Sequence, residues 1–160
     1  MKRAILALAM LAVASPALAL MVEVPLDRLI TSSDAVVRAK VTGLESHWTA
    51  DHSTIVTDVT LSIEESWAGD LAAGAPLVLQ VEGGEVGDIG IRSEHQPVFS
   101  PGEETVLFLK ATSNARLRVN AVEQGKYTVL GDHVVGFRQQ AFPLATLRAT
   151  VNGLTRSRDH

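Results

Sequence analysis

Apolar and polar residues alternate over long stretches of the chain, and this alternation predicts β-strands. Residues 34–44 alternate in this way, and residues 53–67 do so over an unusually long run. Because successive side chains of a strand point to opposite faces, each stretch would bury one face and expose the other. The residues predicted to face inward are Ala35, Val37, Ala39 and Val41 in the first stretch, and Ile55, Thr57, Val59, Leu61 and Ile63 in the second. The adjacent acids Glu64 and Glu65 interrupt the second pattern, which indicates a β-bulge.

Shorter apolar runs predict further strands downstream. Residues 77–82 follow a predicted turn over residues 68–76 and would place Leu77, Leu79 and Val81 inward. Other segments with strand character are residues 105–111, 116–122 and 126–131, with residues 133–137 as an additional candidate. Because a long bent strand fits a small closed barrel better than a flat sheet, we expect an antiparallel barrel of five to six strands.

Two segments have apolar residues at helical spacing instead. The first follows Pro25 and predicts a short helix over Leu26–Ser32, because proline is tolerated at the start of a helix. The second follows Pro143, and Gly153 is predicted to mark its end. The apolar stripes consist of Leu26, Leu29 and Ile30 in the first helix, and Leu144, Leu147, Val151 and Leu154 in the second. The predicted fold is therefore mainly β, with a short N-terminal helix and a C-terminal helix.

Residues 1–19 have the three parts of a secretory signal peptide. Lys2 and Arg3 form a basic start, residues 4–14 an apolar middle, and residues 17–19 a small-residue cleavage site. A retained membrane anchor is the alternative, but the apolar run is too short to span a bilayer. We expect cleavage before Leu20, a single domain over residues 20–160 without a membrane anchor, and a periplasmic or secreted location.

Charge and cysteine content narrow the function of the exported domain. The chain has 14 basic and 18 acidic residues, and removal of the signal peptide makes the domain more acidic still. Nucleic acid is excluded as a partner, because binding to its phosphates depends on clustered lysine and arginine. The sequence has no cysteine, so disulfides, thiolate zinc sites and cysteine nucleophiles are excluded as well.

The segment "VEGGEVGDIG" at residues 81–90 combines four glycines with three acids, Glu82, Glu85 and Asp88. A phosphate-binding loop would lead directly into a helix, whereas this segment leads into a proline-containing stretch, and its acids would repel phosphate. We therefore expect a wide loop between strands in which some glycines adopt positive φ angles. A calcium site is the alternative, although the spacing of the acids matches no EF-hand. We assign no metal and no cofactor.

No spacing typical of catalysis is present. The five histidines form no His-Glu-x-x-His or His-x-His pattern, and no Gly-x-Ser-x-Gly sequence occurs. The acids Glu64, Glu65, Glu103 and Glu104 form adjacent pairs, which in a strand would point to opposite faces as solvated residues. We expect that the protein is not an enzyme, and a hydrolase with an unfamiliar site remains a lesser hypothesis.

Several segments together resemble known exported proteins. The segments "SDAVVRAKVTGLES", "TIVTDVTLSIEESWAGDL", "VEGGEVGDIG", "FSPGEETVLFL" and "EQGKYTV" resemble a widespread set of uncharacterised exported bacterial proteins. The first, second and fourth are also similar to the netrin-like module, the oligonucleotide/oligosaccharide-binding (OB) barrel of tissue inhibitors of metalloproteinases. This resemblance implies an OB-like barrel that binds proteins through its loops and one face. Those inhibitors chelate zinc through an N-terminal cysteine, which this chain lacks.

We expect an exported, non-catalytic protein-binding module. Its expected role is that of a partner or inhibitor of an exported protease, and the candidate class of protease is a metalloprotease. The alternative is a structural or carbohydrate-contacting protein of the cell envelope. The predicted binding loops are residues 46–54 and 82–104. Trp48 either meets a partner or caps the barrel end, whereas Trp67 is interpreted as a core residue. The candidate binding residues are Trp48, His52, Glu82, Glu85 and Asp88.

Overall fold

A computed structural model describes residues 22–157 of the chain. The predicted signal peptide and its cleavage site before Leu20 lie outside the described residues. The chain forms helix α1 (Leu26–Ser32), strands β1 (Ala35–Trp48), β2 (Ile55–Ala68), β3 (Pro76–Val86), β4 (Ile89–Arg92), β5 (Glu104–Ala111), β6 (Leu117–Val119), β7 (Lys126–Leu130), β8 (His133–Val135) and β9 (Ala141–Pro143), and helix α2 (Leu144–Arg156). The predicted combination of antiparallel strands with an N-terminal and a C-terminal helix is confirmed.

The strands form one antiparallel sheet that does not close into a barrel. Their order is β4-β3-β2-β1-β5-β7-β8-β9, and β6 pairs with β5 beside β7. The predicted closed, OB-like barrel of five to six strands is therefore wrong in both closure and strand number. Within residues 22–157, no ladder joins β3 to β6, and Gln96 and Pro97 line the cleft that a closing ladder would have to bridge. Proline cannot donate a backbone hydrogen bond to such a ladder.

Both faces of the sheet carry an apolar core. The inner-face core contains the predicted residues of β1 and, from β2, Val59, Leu61 and Ile63, together with Leu77, Leu79, Leu107 and Phe99. Ile55 and Thr57 of β2 are buried as predicted but lie outside this core. The opposite face, here called the helix face, packs against α1 and α2 and buries Trp67, as predicted for a core residue. The helix-face core consists of Leu29, Ile30, Val36, Trp67, Val106, Phe108, Tyr127, Val134, Leu147 and Val151. Strand β5 and residues 35–41 of β1 are thus buried on both sides, which explains the unbroken apolar run of β5.

The bounds of the helices follow their apolar stripes. Helix α1 has the predicted bounds. Helix α2 continues through the exposed Gly153 to Arg156, so the prediction that this glycine ends the helix is wrong. The next turn of α2 still brings Leu154 against the helix-face core, and this contact extends the helix.

The predicted bulge at Glu64 and Glu65 is confirmed, and it corrects another expectation. Pairing with β1 passes from Arg38–Glu65 to Ala39–Ile63, which leaves Glu64 as the extra residue. Because a bulge re-aims side chains, both acids reach Arg38, at 3.4 Å for Glu64 and 3.0 Å for Glu65. Glu104 also binds Arg38, at 2.8 Å, and Glu103 pairs with Lys126. The prediction that Glu64 and Glu65 point to opposite faces is therefore wrong, whereas Glu103 and Glu104 do bind separate cations, and all four acids are ion-paired.

Candidate functional site

The glycine-rich segment is a β-hairpin rather than the predicted wide loop. Strand β3 continues through Gly83 and Gly84, turns at Gly87 and Asp88, and returns as β4. The prediction of positive φ is confirmed, with values of 96° at Gly83, 144° at Gly84 and 61° at Gly87. Sequence reasoning missed β4 because its four residues, Ile89–Arg92, include a glycine and have no buried face that would produce an alternating pattern.

Gly84 lets this hairpin lie against the inner face of β1 and β2. A Cβ atom at Gly84 would stand 2.4 Å from Ser46 Oγ and 2.4 Å from Thr57 Oγ1, so any side chain would collide there. The buried Thr57 hydroxyl donates to the carbonyl of Gly83 at 2.7 Å, and Ser46 Oγ donates to Thr57 Oγ1 at 2.8 Å. The polar atoms beneath the hairpin are therefore satisfied, which fixes its position.

The hairpin forms one wall of a groove of about 600 Å³, which we call the hairpin groove. The floor comes from β1, β2 and β3, and the second wall is the segment that follows β4. The lining residues are Leu44, Ser46, Thr57, Val59 and Val81 on the floor, residues 82–85 and 90–93 on the hairpin side, and residues 96–99 on the other side. Two large apolar side chains in it are exposed, Leu44 at 38% and Val98 at 78%. The groove therefore offers apolar surface to a ligand.

The hairpin side of the groove is acidic. Glu82 and Glu85 are exposed lining residues, and Arg92 is the basic residue that faces the same groove. Glu82 accepts a hydrogen bond from Ser93 Oγ at 3.0 Å. Among residues 22–157, neither acid has a cation within ion-pairing distance, in contrast to the acids around Arg38. These two carboxylates are consequently available to a basic partner.

The five predicted binding residues fall into three places. Glu82 and Glu85 line the hairpin groove, whereas Asp88 is exposed at the turn of the hairpin. Trp48 and His52 lie at the far end of the β1–β2 hairpin, with ring centroids 6.1 Å apart and planes at 26°. Within the described part of the chain, no group of three or more histidines and acids is placed to hold a metal ion. The structure thus does not bring Glu82, Glu85 and Asp88 together as calcium ligands.

The loop after Trp48 is a compact turn. Trp48 is the last residue of β1 and is half-buried, not part of a polar loop as predicted. Asp51 accepts hydrogen bonds from Thr49 Oγ1 at 2.7 Å and from the hydroxyl and amide of Ser53. These bonds, led by the one from Thr49, lower the pKa of Asp51 to about 2. The turn holds His52 at a φ of 55°, stacked on Trp48.

Strand β1 has an open edge beside the groove. It pairs with β5 as far as Lys40, and two further backbone bonds join the Val41 amide to the Glu103 carbonyl and the Gly102 amide to the Val41 carbonyl. It continues to pair with β2 as far as Trp48. Over residues 43–48, no strand within residues 22–157 pairs with β1 on the side away from β2. The sequence predicted this strand but carried no signal for which of its edges stays open, so Leu44 was missed as a site residue, whereas Ser46 lies within the predicted binding loop of residues 46–54.

Comparison with known proteins adds no assignment. The sequence matches no protein-family model and no curated protein. The resemblance to the netrin-like module therefore stays a prediction. Over the described residues, neither helix has the length and apolar character needed to cross a membrane.

Proposed function

We propose that this protein is an exported, non-catalytic module that binds another protein in the hairpin groove. The observation that carries the proposal is the groove itself, in which an apolar floor and unpaired acids lie between two walls. Interfaces of this kind combine an apolar centre with a polar rim. The groove has both components within one surface.

The exposed apolar side chains provide the centre of this interface. Leu44 and Val98 both line the groove, and their surfaces are exposed in the isolated protein. Removal of such surface from water is the main favourable contribution to protein association. A partner that inserts an apolar side chain between them would bury surface on both molecules.

The acids provide preference for a basic partner. Glu82 and Glu85 stand on the hairpin wall, and Asp88 extends the acidic surface to the exposed turn. Complementary charge steers encounter and weakens with salt because the groups remain solvated. We propose an exported protease as the partner class, which is the class that the netrin-like resemblance implies. Without a cysteine, such binding would act through the groove and not through zinc chelation.

The groove suits a polypeptide better than a carbohydrate. Its aromatic lining residue among the described residues is Phe99, which is only 9% exposed and lies under the Lys126 ammonium at 5.1 Å. Sugars bind proteins largely by stacking on exposed rings, and this groove offers none of them. Trp48, the larger candidate, already stacks on His52.

The test is capture of exported proteins by purified variants, followed by affinity measurement with the captured partner. A Glu85→Ser/Asp88→Ser variant removes the hairpin acids. Its matched control, Asp70→Ser/Asp132→Ser, removes two exposed acids from the β2–β3 and β7–β8 connections. We expect weaker binding of the hairpin variant at low salt, with the difference fading at high salt, and unchanged binding of the control.

Three results would contradict the proposal. The first is that the wild-type protein captures nothing, and the second is that both double variants bind the partner equally well. The third is a partner that is displaced by a Trp48→Ala substitution but not by changes in the groove, which would place binding at the far end of the β1–β2 hairpin.

A further inference from the structure

We infer that the hairpin groove takes its partner as an added β-strand on the open edge of β1, and that the groove-facing positions of the added segment carry both an apolar side chain and a lysine or arginine. This inference rests on the proposed function and specifies its binding mode. Strand addition supplies affinity through backbone hydrogen bonds and specificity through alternate side chains.

The backbone of the open edge has unused hydrogen-bonding groups. The Thr49 amide donates to the Thr54 carbonyl of the adjoining turn, which shows that this amide points toward β2. Because backbone groups alternate sides along a strand, the amides of Gly43, Glu45 and His47 also point toward β2. Those of Leu44, Ser46 and Trp48 point away from it, where no backbone partner is present within residues 22–157.

The side chains of the same three residues lie on the groove side. Leu44, Ser46 and Trp48 are paired with Val59, Thr57 and Ile55 of β2. Directly paired residues share a face, and these partners belong to the inner face. Leu44 and Ser46, which have free amides, also line the groove, so a strand added along them would enter it. Trp48 lies beyond the groove, and its carbonyl oxygen is 3.1 Å from His47 Nδ1.

The edge also lacks the features that usually block strand addition. Proteins protect exposed edges with lysine, proline, inward charges or bulges. The residues whose amides point away from β2, namely Leu44, Ser46 and Trp48, carry no charge and include no proline. The bulge near Thr42 precedes them. The open edge is therefore a usable template over the length that borders the groove.

The groove determines the chemistry of the added segment. An apolar side chain on its inner face would lie between Leu44 and Val98, both exposed in the structure. A cationic side chain would reach Glu82 and Glu85, which have no cation partner within the described residues. Because successive side chains of a strand point to opposite faces, the apolar and the cationic side chain that enter the groove must stand two residues apart on the added segment.

The probe for this inference is a short synthetic peptide in which valine and lysine take turns on one face and threonine occupies every position between them, titrated into the isotope-labelled exported protein. We expect binding that shifts the amide signals of Leu44, Ser46 and Trp48 and slows their hydrogen exchange. A second peptide, N-methylated on alternate residues, keeps the side chains but cannot complete the ladder. It should bind at least about tenfold more weakly, because several backbone bonds are lost.

A protein variant tests the same edge from the other side. Leu44→Pro removes one outward-facing amide, and Leu44→Ala is the matched control that shortens the side chain but keeps that amide. Gly43 precedes the position and tolerates a following proline. We expect Leu44→Pro to bind the peptide about fivefold to tenfold more weakly than Leu44→Ala. The peptide pair leaves the protein unchanged, so the test holds even if the proline variant does not fold.

Equal binding of the plain and methylated peptides would overturn strand addition, as would no binding of either. If Leu44→Pro retains the captured exported partner while a groove substitution releases it, the proposed function stands and this binding mode fails. Light scattering provides a further outcome: protection of the edge amides in a dimer without peptide would identify a second copy of the chain as the occupant and overturn the peptide assignment.

Discussion

The two halves of strand β1 have the same secondary structure but different surroundings. Residues 35–41 lie between β2 and β5, and all of them except Arg38 and Lys40 are buried. Residues 43–48 pair with β2 alone, and none of them is fully buried. The change occurs where β5 leaves β1 at Val41 and a bulge shifts the register before Gly43. One strand thus serves as core scaffold at one end and as an exposed edge at the other.

The acids near each half differ in the same way. Around the first half, Arg38 binds Glu64, Glu65 and Glu104. Burial raises the pKa of Glu65, but the Trp67 hydrogen bond and the charges of Arg148 and Arg38 outweigh this effect and leave the pKa below its usual range. Beside the second half, Glu82 and Glu85 have no such cations among residues 22–157. Charges that support the fold are neutralised, whereas those of the groove remain open to a ligand.

The largest contrast should come from a leucine-to-alanine substitution made opposite the first half of β1, in β2, and within the second half of β1. Leu61→Ala removes a fully buried side chain opposite Val41, and Leu44→Ala removes one that is 38% exposed opposite Val59. We expect Leu61→Ala to lower the free energy of unfolding by about 3 kcal/mol and Leu44→Ala by less than about 1 kcal/mol. Denaturant unfolding measures both. Equal losses would mean that the second half is packed as tightly as the first.

A glycine substitution tests how the hairpin is held over the second half. Gly84→Ala introduces a Cβ 2.4 Å from two hydroxyls at a φ of 144°, whereas Gly74→Ala introduces one at a φ of 81° with no atom within 4 Å. We expect a loss of about 3 kcal/mol for Gly84→Ala and about 1 kcal/mol for Gly74→Ala in the same unfolding experiment. If Gly84→Ala lowers the free energy of unfolding no more than Gly74→Ala does, the hairpin is not in close contact with Ser46 and Thr57.

Local patterns predicted the elements of this fold better than their arrangement. The alternation at Ile55–Ile63 and the stripe at Leu144–Leu154 depend on side chains that contact one core, so they identify β2 and α2 from sequence alone. Closure of the sheet depends on whether two distant edges meet. Gln96 and Pro97 line the gap between β3 and β6, and no periodic pattern in the sequence predicts that they lie there. The long strand was compatible with a barrel, but it could not determine whether the barrel closes.

The candidate site was predictable only in part, for a related reason. Charge and glycine content singled out Glu82 and Glu85 before their position in a groove was known. Leu44 and Val98 appear as ordinary apolar residues in sequence, because exposure depends on which neighbours are missing. Glu64 shows the same limit, since the bulge was predicted but its effect on side-chain direction required the partner Arg38.

A smaller effect is expected in the turn that ends the second half. The pKa of Asp51 is about 2, and its first cause is the hydrogen bond from Thr49. Because the folded pKa lies below the ordinary value near 4, this turn gains stability above that value and loses it as pH falls toward 2. Thr49→Ala should move the Asp51 pKa upward in an NMR titration. Asp132, whose pKa is lowered by His133, is the internal control and should not move. An unchanged Asp51 pKa would show that the hydrogen bond from Thr49 is not the cause of the lowered value.

The most direct test of the difference between the two halves is amide hydrogen exchange along β1 in the free protein, read residue by residue by NMR. We expect slow exchange at consecutive residues from Val36 to Val41, where β2 and β5 both accept hydrogen bonds. From Gly43 to Trp48 we expect alternation, slow at Gly43, Glu45 and His47 and fast at Leu44, Ser46 and Trp48. Uniformly slow exchange through Trp48 in the monomer would contradict the open edge, and with it the proposed mode of binding.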